Sequence, residues 1–189
     1  DPRSDPYSLR ISNWNSQLQK TLTTVIGEAN YDIGHLFGAS GGGGNAGCIG
    51  CVCVDGSKGS GITSPADGIP EGDNFDIDYV IHEVGHQLGA NHTFSMSLES
   101  AGQNKEVGSG ITIMGYAGIT SQDVARHSID IFHETFPRIR SDHLSYPPLT
   151  KRPLQQGNCR PSLVFLSHND EKNNLLSLKR IRSYLRIVR

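Results

Sequence analysis

One eleven-residue segment constrains this chain more than any other: His82-Glu83-Val84-Gly85-His86-Gln87-Leu88-Gly89-Ala90-Asn91-His92. His82 and His86 are four apart, so on a helix their rings stack on one face. Two imidazoles so placed can share one zinc ion, and Glu83, next to the first, can hold a carboxylate beside a water on that ion. Gly89 is the residue that can take positive φ, leave the helix and turn the chain sharply. Three residues later His92 can then swing back as a third ligand. Three neutral nitrogens and one open position are the arrangement of a catalytic zinc site, not of a closed structural one. The plainer alternative, an unrelated pair of histidines on an ordinary helix, fits the first five residues but does not explain the helix stop and the third His.

The rest of the chain must build a core around that helix. The 189 residues suffice for one domain. Gly is 22 of them, which speaks for many turns and against a long-helix bundle. The net charge of −2 gives no global nucleic-acid footprint, and no nucleic-acid partner is expected. No apolar run reaches the ~18 residues of a membrane span. Charge is divided unevenly: residues 1–150 carry 8 basic and 17 acidic side chains, whereas residues 151–189 carry 9 basic and 2 acidic. A boundary is therefore expected near 150, between a main domain and a basic tail. The chain starts at Asp1 without a visible leader, so it is read as a processed form or a fragment.

Periodicity predicts a helix over Ser12–Glu28, with Trp14, Leu18, Leu22, Val25 and Ile26 on one stripe. Strands are expected at Tyr31–Phe37 and Ala46–Val54, and the metal helix from Asp73 to about Leu88. A further helix is expected from Ser128, with Ile129, Phe132, Phe136 and Ile139 on one side and Pro137 ending or kinking it. Three of the four cysteines read Cys48-x-x-Cys51-x-Cys53. On a strand Cys48 would face away from Cys51 and Cys53, which argues against a thiolate metal site. A disulfide from Cys53 to distant Cys159 is expected instead, with Cys48 and Cys51 as small buried hydrophobes; such a bond implies an oxidising compartment. Glu71, Asp73, Asp76 and Asp78 have the composition of a calcium site, but capping and dipole matching at a helix start explain them better. In Glu171–Arg189 an apolar stripe of Leu178, Ile181, Leu185 and Val188 alternates with basic residues. Such a helix suits an anionic membrane or a partner; packing on the body is the plainer reading, and no membrane role is expected.

From about Asn30 to Phe136 the chain resembles the metzincin metallopeptidases, in particular the reprolysin-like (adamalysin-type) branch found among secreted bacterial proteins. The resemblance rests on Tyr31-Asp32-Ile33-Gly34-His35-Leu36-Phe37, the Gly41–Gly44 run, the cysteine-bearing segment, the zinc helix and Ile113-Met114-Gly115-Tyr116. It implies an α+β domain: a twisted mixed sheet with an antiparallel edge strand, a zinc helix and a C-terminal helix. It implies one catalytic zinc on His82, His86 and His92, Glu83 as general base, and Met114 in a tight turn beneath the metal. Tyr116 is left with two readings, an oxyanion donor or a wall of the specificity pocket. An extended peptide substrate is expected to pair with an edge strand at Gly47, Cys48, Ile49 and Gly50. The implied activity is hydrolysis of peptide bonds in proteins by a secreted, monomeric zinc endopeptidase.

Two departures from the family stand beside this. Thr93-Phe94 follows the third His, where the adamalysin branch has Asp. Only about thirty residues precede Tyr31, so the family's opening strands are expected to be missing. The rival reading is therefore a catalytically weak or inactive zinc-binding remnant that serves as a binding module.

Overall fold

A computed structural model describes residues 5–96, 103–132 and 163–167. Its sheet has four strands: β1 (Ile33–Phe37), β2 (Gly43–Asn45), β3 (Gly61–Ser64) and β4 (Leu163–Ser167), in the order β2-β3-β1-β4. β3 and β4 both run parallel to β1, while β2 runs antiparallel to β3 at the edge. The mixed sheet with helices is the expected α+β architecture. β1 is central, and all five of its residues are buried, as suits a strand with neighbours on both sides. β4 comes from the segment read as a tail, so part of that segment belongs to the sheet. The helix expected over Glu171–Arg189, and with it any membrane contact, lies outside the described residues.

The N-terminal helix α1 (Trp14–Thr21) buries Trp14 and Leu18, and Leu22 follows on the same stripe. These residues pack with Tyr31, Leu36 and Ile62 on one side of the sheet. After Thr21 the winding widens to a π-type turn over Leu22–Ile26, which rotates the stripe off the core. Val25 and Ile26, expected to face inward, are 73% and 37% exposed for that reason. Gly27, at φ +83°, then ends the helix.

The second helical run is π-type over Asn74–Ile81 and α-helical in α2 (His82–Gln87). Phe75, Ile77, Val80, Ile81 and Val84 bury against Phe37, Ala90, Ile113 and Met114, forming the second core cluster. No helix among the described residues is long and apolar enough to cross a membrane.

Two expected elements are corrected. Ala46–Val54 is a series of bends and turns, and the antiparallel edge strand is β2, just before it. Three glycines at positive φ in sequence, Gly41 to Gly43, let the chain enter β2, and Gly47 and Gly50, also at positive φ, break it again. The helix expected from Ser128 does not begin there: Ile129 donates its N–H to Ile111, and Ile131 accepts from Ile113, so backbone hydrogen bonds tie this stretch to the segment leading to Met114. Residues 133–139 of that expectation lie outside the described residues.

Candidate metal centre

α2 places His82 and His86 one turn apart, both buried. Gly89 takes φ +107°, and the turn it makes returns buried His92 to the same spot. The Nε2 atoms of His82 and His86 lie 3.2 and 2.9 Å from Nε2 of His92. Ligands ~2.0–2.1 Å from a tetrahedral zinc are roughly 3.3 Å apart, so the spacing fits one ion. Among the described residues this is the one group of three metal-binding side chains brought together.

The hydrogen bonds behind the rings select the same chemistry. Nδ1 of His82 donates to the Ile113 carbonyl at 2.6 Å, and Nδ1 of His86 to the Ala90 carbonyl at 2.7 Å. With the proton on Nδ1, each Nε2 turns a lone pair inward, which a cation favours and which free imidazoles would repel. Burial, followed by the neighbouring His86 and His92, holds His82 well below the usual histidine range, in the neutral form a ligand needs.

Glu83 is buried and faces Gly44 of β2 so closely that a Cβ at Gly44 would collide with its carboxylate oxygen. The glycine at the edge strand is thus what makes room for the carboxylate. Met114 is fully buried under α2, where a Cβ on Gly85 would fall 2.6 Å from its sulfur. Its carbonyl accepts the N–H of Thr93 at 3.1 Å, which ties the turn to the chain just after His92. Tyr116 stacks on His82 at 5.7 Å between centroids, meets His92 at 4.5 Å and touches Phe94 at 4.8 Å. It sits as an aromatic wall beside the three imidazoles.

Two supports of the site were not among the expected residues. Gln87, next to His86, reaches into the sheet: its amide donates to the Gly34 carbonyl, and its oxygen accepts from Nδ1 of His35 at 2.9 Å. Nε2 of His35 then accepts from the Thr63 hydroxyl at 2.8 Å. This chain of bonds joins β1, β3 and α2, and burial lowers the His35 pKa to about 4, against its hydrogen bonds. The second support is Glu106, whose carboxylate receives the N–H groups of Ile111 (2.7 Å) and Thr112 (3.0 Å) and the Thr112 hydroxyl. Burial pushes the Glu106 pKa up, but these bonds outweigh it and hold it below the ordinary value. The only sequence signal for Gln87 is a polar residue on the sheet-facing side of an apolar helix; for Glu106 there is none.

Other expected residues fall elsewhere. Gly47, Cys48, Ile49 and Gly50 form a turn, not a strand, and Cys48 and Cys51 are joined by a disulfide with Cα atoms 5.8 Å apart. The strand alternation that would have separated these two thiols is absent. Cys53 donates its backbone N–H to Asp32, and Cys159, its expected partner, lies outside the described residues. In the acidic cluster, Asp78 accepts from the Ser128 N–H at 2.8 Å and lies 3.1 Å from His127, while Asp76 is buried.

Residues 1–138 match the family model described as Metallo-peptidase family M12B Reprolysin-like. Neither a curated protein nor a solved structure matches the chain.

Proposed function

Because the chain belongs to the reprolysin-like metallopeptidases of family M12B, we propose that it is an endopeptidase that cleaves internal peptide bonds of proteins, with Glu83 as general base. The observation that carries this reading is the meeting of three Nε2 atoms beside a helix residue, Glu83, whose carboxylate is buried under the edge strand. Bound zinc supplies Lewis acidity toward water and the scissile carbonyl. His82, His86 and His92 hold the ion, and their hydrogen bonds to backbone carbonyls fix the ring planes. Glu83 takes a proton from the attacking water and passes it to the leaving amine. An extended substrate pairs with the outer edge of β2, which carries it across Glu83; Gly44 has no side chain to obstruct it. Tyr116 forms a wall of the pocket. A secreted location belongs to the same proposal, supported by the Cys48–Cys51 bond, since disulfides persist in oxidising compartments.

The test is cleavage of an unfolded protein by the zinc-loaded full chain. A chelator is expected to abolish it, and Glu83→Gln to lower kcat by about 10²–10⁴-fold while zinc stays bound. Cleavage unaffected by both treatments contradicts the proposal, and zinc binding with no cleavage at all supports the inactive remnant instead.

A further inference from the structure

The disulfide loop touches the metal helix at the point where that helix ends. The last carbonyls of a helix have no partner within it and must find donors elsewhere. Here the His86 carbonyl receives the Gly50 N–H at 2.8 Å, and the Gln87 carbonyl receives the Val52 N–H at 3.1 Å. Gly50 and Gly89, at φ +72° and +107°, meet backbone to backbone: a Cβ on either would lie 3.7 Å from the Cα of the other. The bond from Cys48 to Cys51 closes a ring around Ile49 and Gly50, so it fixes the direction of the Gly50 N–H. On its far side the loop is anchored to the sheet entrance by the Cys53 N–H on the Asp32 carbonyl.

We propose that the Cys48–Cys51 disulfide is a positioning clamp for the metal centre: it holds the loop that caps α2, and through it both His86 and the Gly89 turn that delivers His92, so that its reduction loosens the hold on zinc. This rests on the reading of the three histidines as a zinc site. Cys48 is half-buried and Cys51 fully buried, so an external dithiol meets Cys48 first. Its thiolate bonds to the Cys48 sulfur, the Cys48–Cys51 bond breaks, and Cys51 leaves as a thiolate that takes up a proton. The second thiolate of the reductant then displaces Cys48, also released as a thiol after protonation. Two electrons have passed to the protein, and the reductant departs as a cyclic disulfide. The freed loop can move away from the His86 and Gln87 carbonyls, and the turn through Gly89 loses its neighbour.

The experiment compares zinc release from the full chain to an excess of a chromophoric chelator. Wild type is measured against Cys48→Ser/Cys51→Ser, and against wild type treated with a phosphine reductant, which does not sequester zinc as a dithiol does. Alkylation and peptide mass mapping verify that Cys48 and Cys51 have opened. Release at least ~10-fold faster in both disulfide-free forms is expected, together with faster hydrogen exchange at the Gly50 and Val52 amides. If the double variant does not fold, phosphine-treated Cys53→Ser with unchanged circular dichroism supplies the comparison, since it lacks the Cys53 bond. Release within twofold of wild type in a folded, disulfide-free protein overturns the proposal. Acceleration by phosphine but not in a folded double variant also overturns it, because the effect then belongs to Cys53. Wild type that takes up no zinc refutes the metal reading itself, which separates that failure from a failure of the clamp.

Discussion

On its sheet side α2 is held through Gln87, bonded to a neutral, fully buried His35 that is bonded in turn to Thr63. On its loop side the Met114 turn, which meets His82 through the Ile113 carbonyl, is held by the partly buried carboxylate of Glu106. Both supports steady the same three imidazoles, but they answer acid differently. His35 ordinarily titrates at 6.5 and is lowered to about 4 by burial, so an unfolded chain takes up its proton first. Its contribution is complete above pH 6.5 and is lost as the pH falls through about 4. Glu106 ordinarily titrates at 4.5 and is lowered further, so its contribution is complete above pH 4.5 and is lost only below that. The site is thus expected to lose its sheet-side support before its loop-side support on acidification.

The largest effect is expected from breaking the sheet side. His35→Leu leaves the Gln87 oxygen and the Thr63 hydroxyl buried without their partner, at a cost of about 3 kcal/mol in denaturant unfolding at neutral pH. Its stability should also fall less than that of wild type between pH 6.5 and 4. The pair His35→Leu/Gln87→Leu should cost less than the two single changes added, because the second removes a group the first has orphaned. Full additivity would show that the two side chains do not act as one network.

Breaking the loop side should cost less. Glu106→Gln replaces a charged acceptor by a neutral one and should lower stability by about 1–2 kcal/mol at neutral pH. The difference from wild type should shrink below pH 4.5, where wild type also loses its charge; a constant difference across that range would contradict the role given to the carboxylate. Substitution at the cleft tests chemistry rather than stability. Gly44→Ala puts a Cβ onto the Glu83 carboxylate, and kcat should fall at least ~10-fold with zinc content unchanged. The smallest change is expected from Tyr116→Phe. It keeps the ring stacked on His82 and His92, so kcat should stay within about threefold; a loss of about 10²-fold would assign the hydroxyl to the oxyanion instead.

What could be read from the sequence follows the same division between local and distant forces. His82, His86 and His92 were legible because helical spacing and one positive-φ glycine are local properties; Met114 was reached only through the resemblance to the family. β1 was legible from the alternation that sets Tyr31, Ile33, His35 and Phe37 on one face of Tyr31–Phe37. β3 was not, because Gly61-Ile62-Thr63-Ser64 carries one large apolar residue and becomes a strand only through pairing with β1 and β2. The Ala46–Val54 segment looked like a strand by composition, yet its glycines and the Cys48–Cys51 bond bend it onto the end of α2. Glu106 and Gln87 act on partners that their own neighbours in sequence do not announce.

The convergence of three imidazoles on one ion can be measured directly by zinc X-ray absorption of the loaded protein with its zinc content determined in parallel. One zinc per chain is expected, with nitrogen or oxygen ligands at ~2.0–2.1 Å, the scattering pattern of three imidazole rings and no sulfur at ~2.3 Å. A sulfur shell, or no bound zinc under generous supply, would contradict it.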